Sequence, residues 1–286
     1  MIVVTGSTGQ FGRLVVEHLL KAGVPAGRVA AGVRTPAKAA GLASLGVEVR
    51  VVDYDRAETL TAAFADAEKV LLVSSTGPDE ARVAQHRAVV GAARASGVAL
   101  LGYTSVTGAP TSPLGLAEVH RATERAIEES GVPAVLLRNG WYTENYSAVL
   151  PGAVARGELV GSAGDGRIAS ASRSDLAEAA AVVLTREGQA GAVHDLTGDT
   201  AWTMAELAAE AAAQSGRPVA YTDLPADEYR RVLDRAGLPG PAVELIVDAD
   251  VQIARGALSR TTGDLSALLG RPTTPLAVTV GQALGG

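Results

Sequence analysis

The sequence predicts a doubly wound α/β fold: a parallel sheet with helices on both faces and a smaller lobe on its C-terminal side. Three observations predict it. A short apolar run, Met1 to Val4, feeds into a turn with glycines at Gly6, Gly9 and Gly12, and then into a helix-patterned segment. Apolar strand-like runs then alternate with helical patterns as far as about residue 145. Beyond that point the alternation fades into glycine-rich loops, an alanine-rich helix and a tail punctuated by Pro and Gly.

The opening element is a strand, a turn and a helix start. The helix, Phe11 to Leu20, carries Leu14, Val15, Leu19 and Leu20 on one face. Glycine in the turn allows backbone conformations and close approaches that a Cβ forbids. The amides of Gly6, Ser7, Thr8, Gly9, Gln10, Phe11 and Gly12 can then face an anionic pyrophosphate at the helix N-terminus. Glycine triplets also occur in plain strand-to-helix turns, and the spacing here is G-x-x-G-x-x-G; the flanking strand and helix are what favour a Rossmann-type dinucleotide site.

The following strands are expected at Val29 to Val33, Val47 to Val52, Lys69 to Val73, Ala99 to Tyr103 and Ala134 to Leu137. The second ends in Arg34, 22 residues after Gly12, near where an NAD-binding chain places an acid on the adenosine ribose. No Asp or Glu lies between Lys21 and Glu48, whereas Arg28, Arg34 and Lys38 supply charge suited to a 2′-phosphate, so NADPH is the expected cofactor. The alternative is that Arg34 is a solvated loop residue. Asp53 and Tyr54 after the third strand could meet the adenine, and Ser74, Ser75 and Thr76 after the fourth keep that wall low; ordinary turn chemistry explains either equally.

A substrate lobe is expected over 146–286, with residues 1–145 forming the dinucleotide domain and part of 175–200, Val182 to Leu184 and Val193 to Leu196 in particular, completing its sheet. A helix is expected near Met204 to Gln214. The 286 residues, 47% of them hydrophobic, suffice for a real core. A net charge of −6 with no long Lys/Arg run argues against nucleic acid as a partner. Cysteine is absent and the four histidines are scattered, so neither disulfides nor a metal cage is expected. No run of about 20 apolar residues suggests a membrane span, and the chain opens on a strand without a signal-like segment, so a cytoplasmic protein is the simplest reading. The oligomeric state, a homodimer included, stays open.

Several segments carry a family resemblance. Thr5-Gly-Ser-Thr-Gly-Gln-Phe-Gly12, Val33-Arg-Thr-Pro-Ala-Lys38, Ser112-Pro-Leu-Gly-Leu116, Arg138-Asn-Gly-Trp-Tyr-Thr-Glu-Asn145, Gly164-Asp-Gly-Arg-Ile-Ala-Ser170 and Gly270-Arg-Pro-Thr-Thr-Pro-Leu276 resemble the NmrA-like atypical short-chain dehydrogenases, above all their NADPH-dependent quinone oxidoreductase branch. The resemblance runs along nearly the whole chain and implies NADPH bound by the sheet domain, with a quinone reduced in the cleft beside the smaller lobe. Ordinary short-chain dehydrogenases use a Tyr and, four residues on, a Lys; alignment puts Leu116 and His120 at those places. Without the acid–base tyrosine, alcohol oxidation is disfavoured, whereas a quinone accepts hydride readily and needs mainly orientation.

The residues expected around the acceptor are Ser105, His120, Asn139, Trp141 and Tyr142, with Trp141 stacking on a flat ring and His120 a proton donor. Each has a plainer reading: Ser105 capping a turn, His120 on the helix surface paired with Glu124, Trp141 packing the lobe interface. Arg138 could orient its loop or reach the diphosphate, and Arg173 resembles a position near the family's cleft. His86 and Arg87 are read as helix-surface residues. The expected reaction is two-electron hydride transfer without flavin or metal. The rivals are an NADPH-dependent reductase of another conjugated acceptor, such as a triphenylmethane dye or isoflavone-like compound, and a non-catalytic NADP(H)-sensing regulator.

Overall fold

The computed structural model describes residues 1–285. In chain order the elements are β1 (Ile2–Val4), α1 (Gln10–Lys21), β2 (Val29–Val33), α2 (Ala40–Ala43), β3 (Glu48–Val51), α3 (Ala57–Phe64), β4 (Lys69–Leu72), α4 (Asp79–Ala95), β5 (Leu100–Val106), α5 (Ala117–Ser130) and β6 (Ala134–Asn139). They continue with α6 (Glu144–Ser147), α7 (Leu150–Arg156), β7 (Glu158–Gly161), β8 (Arg167–Ile168), α8 (Arg173–Thr185), β9 (Val193–Leu196), β10 (Trp202–Thr203), α9 (Met204–Ser215), β11 (Ala220–Asp223), α10 (Ala226–Arg235), α11 (Gly240–Ala254), α12 (Asp264–Leu269) and α13 (Leu276–Gly285).

Seven strands form one parallel sheet in the order β3-β2-β1-β4-β5-β6-β9. Strand order reverses between β1 and β4, and the crevice beyond the carboxyl ends at that point is where such sheets take ligands. The central strands read as unbroken apolar runs because helices cover both faces. On one face α1 buries Phe11, Val15, Val16 and Leu19 against the alanine-rich side of α8, where Ala177, Ala180 and Ala181 let the two helices approach closely. On the other, α3, α4 and α5 bury Leu60, Phe64, Val89, Ala93 and Ile127 against Leu72, Leu101 and Tyr103.

Val193 to Leu196 joins the sheet as its seventh strand, as expected. Val182 to Leu184 does not: it forms the last turns of α8, because Leu176, Ala180, Val183 and Leu184 recur at helical spacing and all are buried. A second apolar cluster, with Tyr146, Leu150, Leu159, Ile168, Trp202, Leu207 and Ile253, lies under the short pairs β7–β11 and β8–β10. No helix among the described residues is long and apolar enough to cross a membrane.

Carboxylates strap the tail to the sheet domain, Glu178 accepting from Arg271 and Asp199 from the Thr273 amide at 2.8 Å, and the third of them is buried. Asp175, in the first turn of α8 and 1% exposed, accepts from the Thr274 amide at 2.6 Å, the Thr274 hydroxyl at 3.0 Å and Arg271 Nη2 at 2.9 Å. Replacing Asp175 by Ala strands those donors and is expected to lower unfolding stability by about 2–3 kcal/mol, as for hydrogen bonds to a buried charged group. Arg271→Ala removes a half-exposed partner and should cost under about 1 kcal/mol. Urea midpoints of the two variants check the contrast; equal losses would show that the ion pair rather than the strap's backbone matters.

Candidate active site

The turn after β1 is built by close backbone packing. Gly6 sits at φ +61°, and the Gly9 amide donates to its carbonyl at 2.9 Å. A Cβ on Gly12 would stand 2.5 Å from that same oxygen, so only hydrogen lets α1 start there. Gly9 caps α1 without a side-chain bond, and the amides of Gln10, Phe11 and Gly12 have no acceptor within their own helix. Ser7 corrects the sequence expectation. It is fully buried, donating its hydroxyl to Val4 at 2.6 Å and its amide to Gly32 at 3.1 Å, and it does not face the cleft.

A cleft of about 530 Å³ runs from this turn across the ends of β2, β3 and β4. Gly6, Thr8, Gly9, Gln10, Phe11 and Gly12 line it as expected, with Arg34, Asp53, Tyr54, Ser74, Ser75 and Thr76. Arg34 and Lys38 are exposed at one end and place two cations there. Tyr54 lends its ring, while its hydroxyl donates to Val73 at 2.9 Å and also contacts the Thr5 hydroxyl. The opposite end is aromatic: Tyr142 stacks on Phe11 with centroids 6.2 Å apart, and the Arg173 guanidinium lies 4.7 Å from the Tyr142 ring centre. Sequence reasoning passed over Asp55 and Gln85, which also line the cleft; neither belongs to a motif.

Four expected residues lie elsewhere. His86 is fully buried rather than on the helix surface. The Ser75 amide donates to its Nε2 at 3.0 Å, so Nδ1 carries the hydrogen and donates to Thr123 at 2.8 Å. His120 is 6% exposed and bonded through Nδ1 to the Tyr103 hydroxyl at 2.8 Å, neither at the cleft nor paired with Glu124. Ser105 donates to Glu124 Oε1 at 2.5 Å, and Arg138 grips the same carboxylate through Nε at 3.0 Å and Nη2 at 2.7 Å. Arg138 thus lines a separate groove of about 740 Å³ beside α5 and cannot reach the diphosphate.

Trp141 and Tyr142 reach cavities, and Asn139, just before them at the end of β6, lines neither of these. Trp141 and Tyr142 part company, Tyr142 lining the cofactor cleft and Trp141 a second cavity of about 170 Å³. That cavity's other walls are the loop after β5, from Thr107 to Pro113, and the segment Ala257 to Arg260. Trp141 also packs on the lobe's apolar cluster, as its plainer reading expects. Asn139 is 4% exposed and lies beside the Tyr142 hydroxyl, and neither its side-chain oxygen nor its nitrogen makes a hydrogen bond of ordinary geometry among the described residues. The Thr107 loop is braced from behind: Asp195 accepts from the Gly108 amide at 2.8 Å and the Thr107 hydroxyl at 3.2 Å, while Arg121 donates to Ala109 and Ser112 carbonyls. No three His, Cys, Asp or Glu side chains among the described residues gather as a metal site.

A family model described as NAD(P)H-binding matches residues 6–187. The chain belongs to the NAD(P)H-binding, NmrA-like family. Among its NmrA-like relatives, quinone oxidoreductase 2 of Escherichia coli strain K12 is 47% identical over 280 residues, 98% of this chain and 97% of the relative. A crystal structure of the E. coli NADPH-dependent quinone oxidoreductase complexed with NADPH superposes with a TM-score of 0.95 at 47% identity, covering 99% of each chain. Citrobacter sp. triphenylmethane reductase superposes with a TM-score of 0.96 at 41% identity, over 100% of this chain and 99% of that one. The glycine turn, the cationic end of the cleft and the uncapped α1 suit a dinucleotide phosphate, as membership requires.

The buried ionisable groups set an acid response. Burial, reinforced by Arg82, holds His86 down to about 4 and His120 to about 3. Burial pushes the Asp250 carboxyl up to about 6, against the Ser162 amide that donates to it. Below pH 6.5 the unfolded chain protonates both imidazoles while the native protein does not, so stability falls on acidification. Asp250 acts in the opposite sense between pH 6 and 3.8, where the native state holds its proton and the unfolded state does not. Among these three groups one net proton remains, a loss of about 1.4 kcal/mol per pH unit, and His18, which burial also holds below its ordinary value, adds in the same sense. Asp250→Asn is expected to steepen the slope by about 1.4 kcal/mol per pH unit; urea unfolding across this range measures it, and an unchanged slope would refute the account.

Proposed function

We propose that this protein is an NADPH-dependent quinone oxidoreductase that transfers two electrons as hydride directly to the acceptor, without flavin or metal. The observation that carries the reading is the state of α5. Where an acid–base pair would stand, Leu116 offers no proton and His120 is a neutral, buried imidazole bonded to Tyr103. Such a site has no base for an alcohol. It suits an acceptor reactive enough to need only placement.

Bound NADPH would supply the hydride. The α1 amides and glycine turn hold its diphosphate, Arg34 and Lys38 its 2′-phosphate, and Asp53 and Tyr54 flank its adenine. Tyr142, clamped between Phe11 and Arg173, forms the aromatic end of the cofactor cleft, and the indole of Trp141, which lines the second cavity, stacks on a quinone there. Burial raises the Tyr142 pKa, so its hydroxyl stays protonated and able to donate to the forming hydroquinone oxygen. The Asn139 amide, beside the Tyr142 hydroxyl, makes no hydrogen bond of ordinary geometry and has capacity left for the acceptor. Overall, quinone, NADPH and one proton give hydroquinone and NADP⁺, the proton coming ultimately from water. The substrate lobe in this reading is built on 146–168, 202–259 and 276–285, while α8, β9 and α12 serve the sheet domain.

NADPH oxidation with a panel of benzoquinones and naphthoquinones, NADH in parallel, tests the proposal. Saturable turnover preferring NADPH is expected, and Arg34→Ala should cost NADPH about tenfold or more in kcat/KM while leaving NADH nearly unchanged, the loss of one charge-assisted hydrogen bond. Tight NADPH binding with no turnover on any acceptor would favour the sensor reading instead. Asn139→Leu, of similar volume, relieves an unpaired buried amide: the expected result is an unfolding free energy equal to or above that of the parent, with kcat reduced about tenfold or more. A Leu variant of full activity would remove Asn139 from the site.

A further inference from the structure

The cavity behind Trp141 has a chemical bias. Its floor and sides are neutral, from Trp141, Pro113, Leu258 and the hydroxyls of Thr111 and Ser112, and no carboxylate lines it. Its one charged lining residue is Arg260. Other arginines around the site are already engaged: Arg138 by Glu124, Arg121 by two carbonyls of the β5 loop, Arg173 by Asn145 and Glu144, Arg167 by the Ala201 carbonyl and Glu206. Arg260 has no ion-pair partner among the described residues.

Its main chain is nevertheless fixed on both sides. The Ala169 amide donates to the Leu258 carbonyl at 2.7 Å, the Ser259 amide closes a turn on Gly256 at 3.2 Å, and the Thr262 amide donates to the Thr197 hydroxyl at 3.0 Å. An exposed guanidinium on an anchored segment, with no carboxylate paired to it, at the wall of an otherwise neutral cavity lined by an indole, is a recognition element for an anion. It also repels cations from the same cavity.

We propose that Arg260 determines acceptor specificity, favouring flat acceptors that carry a sulfonate or carboxylate on the ring and disfavouring cationic ones such as triphenylmethane dyes. The inference rests on the quinone-reductase reading for its kinetics. Its binding component does not depend on turnover.

The test compares kcat/KM for a naphthoquinone, its ring-sulfonated derivative and the cationic dye crystal violet, in the parent and in Arg260→Ala, Arg260→Glu and Arg260→Lys. Because intrinsic acceptor reactivity is the same for every variant, only the change in the sulfonated-to-neutral ratio is read. Arg260→Ala should lower that ratio about three- to fivefold, the worth of a solvent-accessible ion pair, and Arg260→Lys should restore most of it. Arg260→Glu should lower it further and raise crystal violet turnover, and the parent preference should shrink as salt is added. Neutral naphthoquinone should be nearly unaffected throughout. A ratio unmoved by Arg260→Ala, or equal losses on charged and neutral acceptors, would overturn the proposal. Calorimetric binding of naphthalenesulfonate in the presence of NADP⁺ separates the two readings: Arg260-dependent binding without turnover of any quinone would refute quinone reduction and sustain the anion site, whereas Arg260-independent or undetectable binding would refute the site.

Discussion

A carbon added at position 12 would lie 2.5 Å from the carbonyl oxygen of Gly6, and the rest of the site follows from the absence of that carbon. It lets α1 begin against the end of β1 with its first amides pointing across the crevice. The same helix presents Phe11, Val15 and Leu19 to α8, so the entry angle of α1 also sets where α8 lies. At its own N-terminus α8 carries Arg173, which covers Tyr142, and Asp175, which holds the tail strap. One backbone approach therefore positions the diphosphate site, its aromatic end and the chain's return to the second lobe.

Charge is distributed by the same economy. The strongest pairing among the expected site residues, Arg138 with Glu124, stands outside the cofactor cleft and acts through Asp195 and Ser105 on the backbones around it. The two buried histidines are neutral and tie α4 and α5 to the ends of β4 and β5 through Ser75, Thr123 and Tyr103. Groups that could compete for hydride or proton chemistry are thus spent on holding the walls. What lines the cofactor cleft is a set of backbone amides, hydroxyls, aromatic rings and cations, with Asp53 and Asp55 as its carboxylates.

How much of this the sequence discloses follows from side-chain direction. The glycine turn, five further strands and Arg34 were legible because each depends on local pattern: apolar periodicity, a conformational requirement, or a charge where an acid usually stands. The motif Arg138-Asn139 was not divisible by type alone. On a strand, neighbours point to opposite faces, and Arg138 is registered beside Ser105 on β5, so both turn toward α5 and Glu124 while Asn139 turns away. Trp141 and Tyr142 separate between two cavities. Ser7 and His120 failed for another reason: their polar groups found partners, Gly32 for the Ser7 amide and Tyr103 for the imidazole, that lie outside their motifs but adjacent in space. Asp195, which braces the Thr107 loop, and Arg260, which lines the cavity beside Trp141, lie in segments with no motif at all.

Asn139 is the one expected residue whose environment argues for function by an unmet need. An unpaired buried amide costs about 1–3 kcal/mol, and the fold had a simple way to avoid it, since Leu136 and Leu137 on the same strand are apolar. Other buried polar side chains nearby are satisfied by protein: Ser105 by Glu124, His86 by Thr123, Thr143 by Ser170. A cost retained at a single position, where the loop carrying Trp141 and Tyr142 leaves the sheet, is best offset when a ligand supplies the missing partner. The neutral amide is also the right donor for a site that must stabilise a transient negative oxygen without offering a charged group that would bind the oxidised acceptor equally well.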